Sequence, residues 1–402
     1  MEKLILSSQR AAQLKQGFAA AFGGVPQRYF SAPGRTEIGG NHTDHQQGRV
    51  LAAAVDLDTV AAVKENGEHV IRVLSEGYPI CVVALDVLTP VAEELGTTAS
   101  LIRGVAARFL ELGYKIGGFD AYVTSQVLPG SGLSSSAAFE VLMGTVLNYL
   151  FNGGKISAPQ IAMIGQYAEN VFFGKPCGLM DQTASAVGGM VTIDFAEKEN
   201  PEIREVAFDF AACGHALCII DSRASHADLT DEYAAIPGEM KSVAAFFGCQ
   251  VLRQVKTQDF YSAIPALREK CGDRVVMRAI HFFEENARVV QQVAALEAGK
   301  FDEFLSLQTQ SGFSSWMQLQ NVIPAGYTEK QEMAVALGLC RQLLQGKGAY
   351  RVHGGGFAGT VQAFVPLEQL AQFRAGIDGV FGSGACHVLS IRSQGCTEAF
   401  EA

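Results

Sequence analysis

The run Leu128-Pro129-Gly130-Ser131-Gly132-Leu133-Ser134-Ser135-Ser136-Ala137-Ala138 sets small, flexible residues ahead of three consecutive serines and a helix-forming stretch that continues through Leu147. A tight glycine-rich turn presents successive backbone N–H groups, and the helix behind it adds partial positive charge at its N-terminus. The chemistry such a turn serves is phosphate binding. Gly130, Ser131, Gly132, Leu133, Ser134, Ser135 and Ser136 are therefore the candidate phosphate ligands. The loop is not a Walker A sequence: without a Gly-Lys-Ser/Thr ending it supplies no lysine to the terminal phosphates. Nor does it fit the dinucleotide pattern, because Ser135 stands where the third glycine would fall. A serine-rich N-cap on a buried helix explains the same residues without a ligand.

Two other segments weigh against that bland reading. The stretch Ser31-Ala32-Pro33-Gly34-Arg35-Thr36-Glu37-Ile38-Gly39-Gly40-Asn41-His42-Thr43-Asp44-His45 is dense in polar groups within an apolar neighbourhood. Pro33 and Gly34 read as a bend, and Gly39-Gly40 permit close approach. Asn41, His42 and Asp44 could meet a hydroxyl-rich ligand, which needs donors and acceptors at fixed positions. Near the other end, Val352-His353-Gly354-Gly355-Gly356-Phe357-Ala358-Gly359-Thr360 follows a strand pattern. Its glycines cost backbone entropy, which a close backbone approach explains better than stability does. Gly355 and Gly356 are the candidates for a backbone that passes close to a ligand or to the neighbouring loop.

These segments need elements to hold them. Residues 1–30 read as a helix leading into the first polar segment. Alternation over 56–63, 69–74 and 80–85 predicts three strands of an antiparallel sheet. Residues 119–127 form a strand feeding the glycine-serine turn, with helices over 134–150 and 158–173 and another starting near Leu179. Residues 190–195 read as a strand closing this half. The polar run 197–201 marks the boundary, so 1–198 and 199–402 are expected as two domains. Beyond it, strands are predicted at 217–221, 350–353, 360–365 and 386–391, and helices at 230–247, 274–298, 329–345 and 367–378. Mixed sheet with segregated helices predicts an α+β class.

Composition narrows the chemistry. A net charge of −10 over 402 residues leaves no basic stripe for a nucleic-acid partner. Nine cysteines without a C-x-x-C pair read as reduced thiols, and hence a cytoplasmic protein. The apolar patch at Leu4-Ile5-Leu6 is too short for a secretory segment, and no apolar run approaches a membrane span. A monomer or weak homodimer is expected.

In their order and spacing, the three segments resemble the three motifs of the GHMP kinase superfamily. The Pro33-Gly34-Arg35 start and His42-Thr43-Asp44 resemble the galactokinase family in particular. So does Ala168-Glu169-Asn170-Val171-Phe172-Phe173-Gly174-Lys175-Pro176-Cys177-Gly178-Leu179-Met180-Asp181-Gln182, which is similar to the stretch carrying that family's catalytic aspartate. The resemblance implies a two-domain fold, with an N-terminal domain like ribosomal protein S5 domain 2 and a ferredoxin-like C-terminal domain. It implies ATP-dependent phosphorylation of the anomeric hydroxyl of D-galactose or a related hexose, with Mg²⁺.

The resemblance also implies roles. Asp181 matches the catalytic base and Arg35 the arginine beside it. Ser136 and Glu169 match the Mg²⁺ site. Asn41, His42, Asp44, Gly178 and Tyr233 fall at hexose-contacting positions. The family usually has Glu at the position of Asn41 and Tyr at that of His45, and an arginine pair where Ala235-Ile236-Pro237 lie. The nucleotide motifs thus match while the sugar side is altered, which leaves a modified or different hexose open. Two rival readings remain: a non-catalytic sugar sensor on the same fold, and a metal-dependent hydrolase using His42, Asp44 and His45.

Overall fold

The computed structural model describes residues 3–127, 132–197, 200–225 and 229–402. Gly130 and Ser131, two of the candidate phosphate ligands, lie outside them. In chain order the strands are β1 (Leu4–Leu6), β2 (Arg28–Gly39), β3 (Arg49–Glu65), β4 (Val70–Ser75), β5 (Cys81–Ala84), β6 (Phe119–Ser125), β7 (Met190–Asp194), β8 (Glu202–Glu205), β9 (His215–Asp221), β10 (Ala349–His353), β11 (Thr360–Pro366), β12 (Cys386–Leu389) and β13 (Thr397–Glu401). Among the described residues, β1 to β8 and β13 make one mixed sheet of nine strands, and β9 to β12 an antiparallel sheet of four in the order β10-β11-β9-β12.

β3 organises the larger sheet. It pairs antiparallel with β2 and β6, and its first residues pair with β7. Alanine and valine dominate its seventeen residues, and twelve are buried, as a strand covered on both faces requires. The three strands expected to neighbour one another do so only in part. β4 and β5 form an antiparallel hairpin, but β6 inserts between β3 and β4 and runs parallel to β4. Alternation reveals a strand's two faces but not its neighbour, which long-range packing selects.

β2 carries the first polar segment. The bend at Pro33-Gly34 is a shift of register between Pro33 and Arg35 against β3, with a second shift between Glu37 and Gly39. Such irregularities twist a strand and re-aim its side chains. Its first part, Ser31–Gly39, is thus a strand where the sequence predicts only a bend: it carries polar residues, yet is buried throughout.

Helices Thr98–Glu111, Ser135–Phe151, Ala158–Tyr167 and Met180–Val187 cover one face of this sheet. Ser135–Phe151 has no polar face; its middle is buried all round, including Glu140 and Asn148. On the other face, helices Asp273–Glu297 and Phe301–Ser314 pack against β2, β3 and β10. The Phe301–Ser314 helix and Thr257–Cys271 have no counterpart among the elements predicted from the sequence. Helices Glu332–Leu344 and Leu370–Phe381 cover the small sheet. β8 and β13, both beyond residue 198, join the larger sheet, so the chain's last strand returns to pair with β2 and β1.

The core between the two sheets is rich in phenylalanine. Phe304 is fully buried, its ring 5.4 Å from Phe301 and edge-on to Phe364 at 5.3 Å. Replacing a buried phenylalanine by alanine removes the transfer energy and leaves a cavity. Phe304→Ala should therefore destabilise the protein by about 3–5 kcal/mol. The shift in urea midpoint measures it, and a loss well under 1 kcal/mol would mean that this core is not tightly packed.

Candidate functional site

Three chain segments far apart in sequence meet at one guanidinium. β2 presents Arg35 at its register shift. The first turn of Met180–Val187 presents Asp181. Arg35 Nε and Nη2 donate to the two carboxylate oxygens of Asp181 at 2.7 and 2.8 Å, and Nη1 donates to the Gly132 carbonyl at 2.6 Å. The Arg35 backbone N–H donates to the Leu133 carbonyl at 3.0 Å. Ser134 donates its hydroxyl to the Asp181 carboxylate and caps Ser135–Phe151 at a left-handed φ of +59°. Leu133 is buried in the core between the sheets and pins the loop from below.

Electrostatics follow from that geometry. Burial would raise the Asp181 carboxyl, but the adjoining guanidinium and the Ser134 hydroxyl outweigh it and hold it below the usual range. The group is therefore a carboxylate at neutral pH. Arg35 is raised in turn, Asp181 overcoming the effect of burial.

The glycines after β10 close the other side. Gly132 has φ +74°, and a Cβ there would lie 2.7 Å from Thr360 Oγ1 and 3.0 Å from His353 Nδ1. His353 is buried and, by desolvation, held neutral. Its Nδ1 bonds Thr360 Oγ1 at 2.8 Å and its Nε2 bonds Thr36 Oγ1 at 3.0 Å. The Glu37 backbone N–H also donates to His353 Nε2 at 3.4 Å, which makes Nε2 the acceptor and puts the imidazole proton on Nδ1. Gly132, Ser134, Ser135, Ser136, Gly354, Gly355, Arg35 and Asp181 line one cavity of about 280 Å³. Gly356 does not line it: it packs beneath Asn321 and accepts the Tyr233 hydroxyl at 2.8 Å.

Beside this cavity Ser136 donates to Glu169 Oε1 at 3.0 Å, and Gln182 Nε2 donates to Glu169 Oε2 at 2.8 Å. Glu169 is 3% exposed. Gln182 also donates to the buried Glu140 at 3.0 Å, whose other oxygen has no partner. Burial first, and then Glu169, push the Glu140 carboxyl well above its ordinary value, so it is held as the neutral acid. Two hard oxygens side by side suit a small divalent cation that takes its remaining ligands from phosphates and water.

The sugar-side candidates lie on the turn after β2. Asp44 sits against Gly178, where a Cβ would overlap its carboxylate. Burial raises the Asp44 carboxyl. His42, at φ +56°, donates from Nε2 to the Gly355 carbonyl at 3.0 Å, and burial lowers its pKa to about 4. His45 lies 5.6 Å from His42, ring to ring, and its Nε2 is buried without a partner. Tyr233 packs on Gly355 and stands edge-on to Phe357.

Asn41 is fully buried one layer back. Its amide donates to Glu37 and Gly354, and its oxygen accepts from Ser315 and Asn321. The Asn41 carbonyl accepts from His281 Nε2 at 2.9 Å. Gly39 and Gly40 do permit close approach, but to Gln292 and to the Arg49–Val50 backbone.

Several groups here have no role assigned from the sequence. Lys175, Glu140 and Gln182 come together only through helix packing, as does the buried Glu37–Arg351 ion pair behind the first segment. A second, more apolar cavity of about 450 Å³ shares Ser135 and Ser136 and is walled by Tyr78, Leu101, Val127, Phe139 and Phe173. Scattered apolar residues of this kind read as core until the fold shows that they line a hole.

The model of the GHMP kinases N terminal domain matches residues 100–189, and that of the galactokinase galactose-binding signature matches residues 16–65. Among solved structures, Lactococcus lactis galactokinase complexed with galactose aligns with a TM-score of 0.79 at 23% identity, over 96% of this chain and 99% of that one. A mevalonate kinase aligns at 0.64 and 14% identity, over 92% and 100% of the two chains. A D-glycero-D-manno-heptose 1-phosphate kinase from Bacteriodes thetaiotaomicron aligns at 0.63 and 14% identity, over 93% and 99%. The α+β, two-domain kinase fold expected from the sequence is the fold observed.

The neutral histidines make stability depend on pH. His42 binds its proton near 6.5 when unfolded and near 4 when folded, so the unfolded chain holds more protons between those values. Stability is therefore full above about pH 6.5 and falls as pH drops toward 4, by about 1.4 kcal/mol per unit for this residue alone. His42→Gln should flatten that part of the urea-midpoint profile. An unchanged slope between pH 6.5 and 4 would show that His42 is not the titrating group.

Proposed function

We propose that this chain is a member of the galactokinase family of the GHMP kinase superfamily and that it transfers the γ-phosphoryl group of ATP to the anomeric hydroxyl of D-galactose or a closely related hexose. The observation that carries this reading is the bidentate Arg35–Asp181 pair, set between the 132–136 backbone and the Gly354-Gly355 turn in one cavity. Phosphoryl transfer asks the protein for positioning and charge neutralisation more than for covalent chemistry.

In the proposed reaction Asp181 accepts the proton of the sugar hydroxyl as the phosphoryl group arrives. Arg35 keeps that carboxylate ionised and offsets charge developing on the transferring group. The 130–136 backbone and Gly355 bind the phosphates. Gly356 acts from behind, by fixing the turn. Ser136 and Glu169 hold Mg²⁺, which would supply charge neutralisation on the phosphates. His42, Asp44, Gly178 and Tyr233 meet the hexose. Asn41, whose amide is fully engaged by protein groups, sets the sugar site through the backbone that carries His42. The apolar cavity beside Ser135 fits a purine base. Residues 1–198 and 199–402 form the two halves of the working enzyme, with the site between them and β13 returning to the first. Nine free cysteines suit a cytoplasmic enzyme. We expect a monomer or weak homodimer.

The test is a panel of hexoses with MgATP, with the phosphorylated carbon located by NMR. Turnover with galactose or a near relative, and phosphate on C1, is expected. Binding of sugar and ATP without turnover would instead favour a sensor. Asp181→Asn keeps an oxygen acceptor for Arg35, so the fold should persist while kcat falls about 10²- to 10⁴-fold. Full kcat in that variant would remove Asp181 as the base.

A further inference from the structure

The phosphate loop carries no lysine, yet the fold brings one to it. Lys175 follows Gly174, whose left-handed φ of +82° ends the wide helical turn Ala168–Phe173. Its backbone N–H donates to the Glu169 carbonyl at 3.2 Å, which anchors the residue. Its side chain is 65% exposed and lines the same cavity as Arg35, Ser134, Ser136 and Asp181. The ammonium lies 3.5 Å from Glu169 Oε1, the oxygen that Ser136 also meets.

The two cations on this cavity differ in freedom. Arg35 is committed to Asp181 by two hydrogen bonds and to Gly132 by a third. Among the described residues, Lys175 has one loose ion pair, on a long, flexible stem. A divalent cation on Glu169 would compete for that carboxylate and leave the ammonium facing the phosphates. A compact point charge on a mobile stem can follow a phosphoryl group as it moves.

Resting on the kinase reading above, we propose that Lys175 is a further catalytic residue, whose ammonium contacts the terminal phosphate of the bound nucleoside triphosphate. It fills, from a separate loop, the role that a lysine within the phosphate loop fills elsewhere. No bond to Lys175 forms or breaks; it neutralises charge as the phosphoryl group passes from ATP oxygen to sugar oxygen.

The experiment compares the wild-type chain with Lys175→Met and Lys175→Arg. Titration calorimetry measures MgATP and MgADP binding, and steady-state kinetics measure hexose turnover. The methionine variant should lose about tenfold or more in kcat/KM for ATP, as expected for a charge-assisted bond. Its preference for ATP over ADP should shrink by a similar factor, with hexose affinity unchanged and partial recovery in the arginine variant. A lysine that only paired with Glu169 would affect both nucleotides alike, since both bring magnesium. An ATP-to-ADP affinity ratio equal to that of the wild type therefore overturns the assignment. If the wild type phosphorylates no hexose, the reading of function fails instead, and the binding ratio still decides Lys175. A wild type that binds neither nucleotide overturns both.

Discussion

Arg35 and Asp181 face each other through two parallel hydrogen bonds, and a third bond ties the same guanidinium to the Gly132 carbonyl. A planar fork against a planar carboxylate fixes orientation as well as distance. With Ser134 on the same carboxylate, β2, the Ser135–Phe151 helix and the Met180–Val187 helix are held in one arrangement. Removing either charge would strand the other in a cavity only partly open to water, where an unpaired charge is costly. The pair therefore holds the proposed base both in place and ionised.

Close backbone packing makes that arrangement possible. Gly132 lies against Thr360 and His353, Gly178 against Asp44, and Gly355 against Tyr233. At each of these positions a side chain would push the polar segments apart. The tolerances are smaller than a methyl group, which is why glycine appears where three stretches of chain converge. The close approach expected at Gly39 and Gly40 is made to protein, Gln292 and the Arg49–Val50 backbone. The same geometric need serves folding there.

Behind the cavity lies a layer of buried polar groups held neutral or paired. Desolvation lowers His42, His281 and His353 and raises Glu140, while Arg351 pairs with Glu37 and Arg288 with Glu285. Neutral groups can donate and accept hydrogen bonds without the cost of a buried charge. The charged side chains Arg35, Asp181 and Lys175 thereby stand on the cavity wall, with Glu169 beside it.

Local signals made much of this legible. Turn glycines, consecutive serines ahead of a helix, and the Ala168–Gln182 stretch pointed to the phosphate loop, Arg35, Glu169 and Asp181, and with them to the kinase fold. Most strands and helices were legible too, because their apolar period is written along the chain. Strand order was not: β6 enters between β3 and β4, and β13 crosses the whole chain to pair with β2. The first polar segment concealed a buried strand, since its polar residues find partners on strands and helices far away in sequence. Glu140 lies outside the sequence motifs and Lys175, though inside one, has no role assigned by it; their meaning comes from what they touch. Residue types and their spacing along the chain determined which chemistry this protein could do. Tertiary packing decided which charges share the cavity, because electrostatic and steric interactions depend on distance in space rather than in sequence.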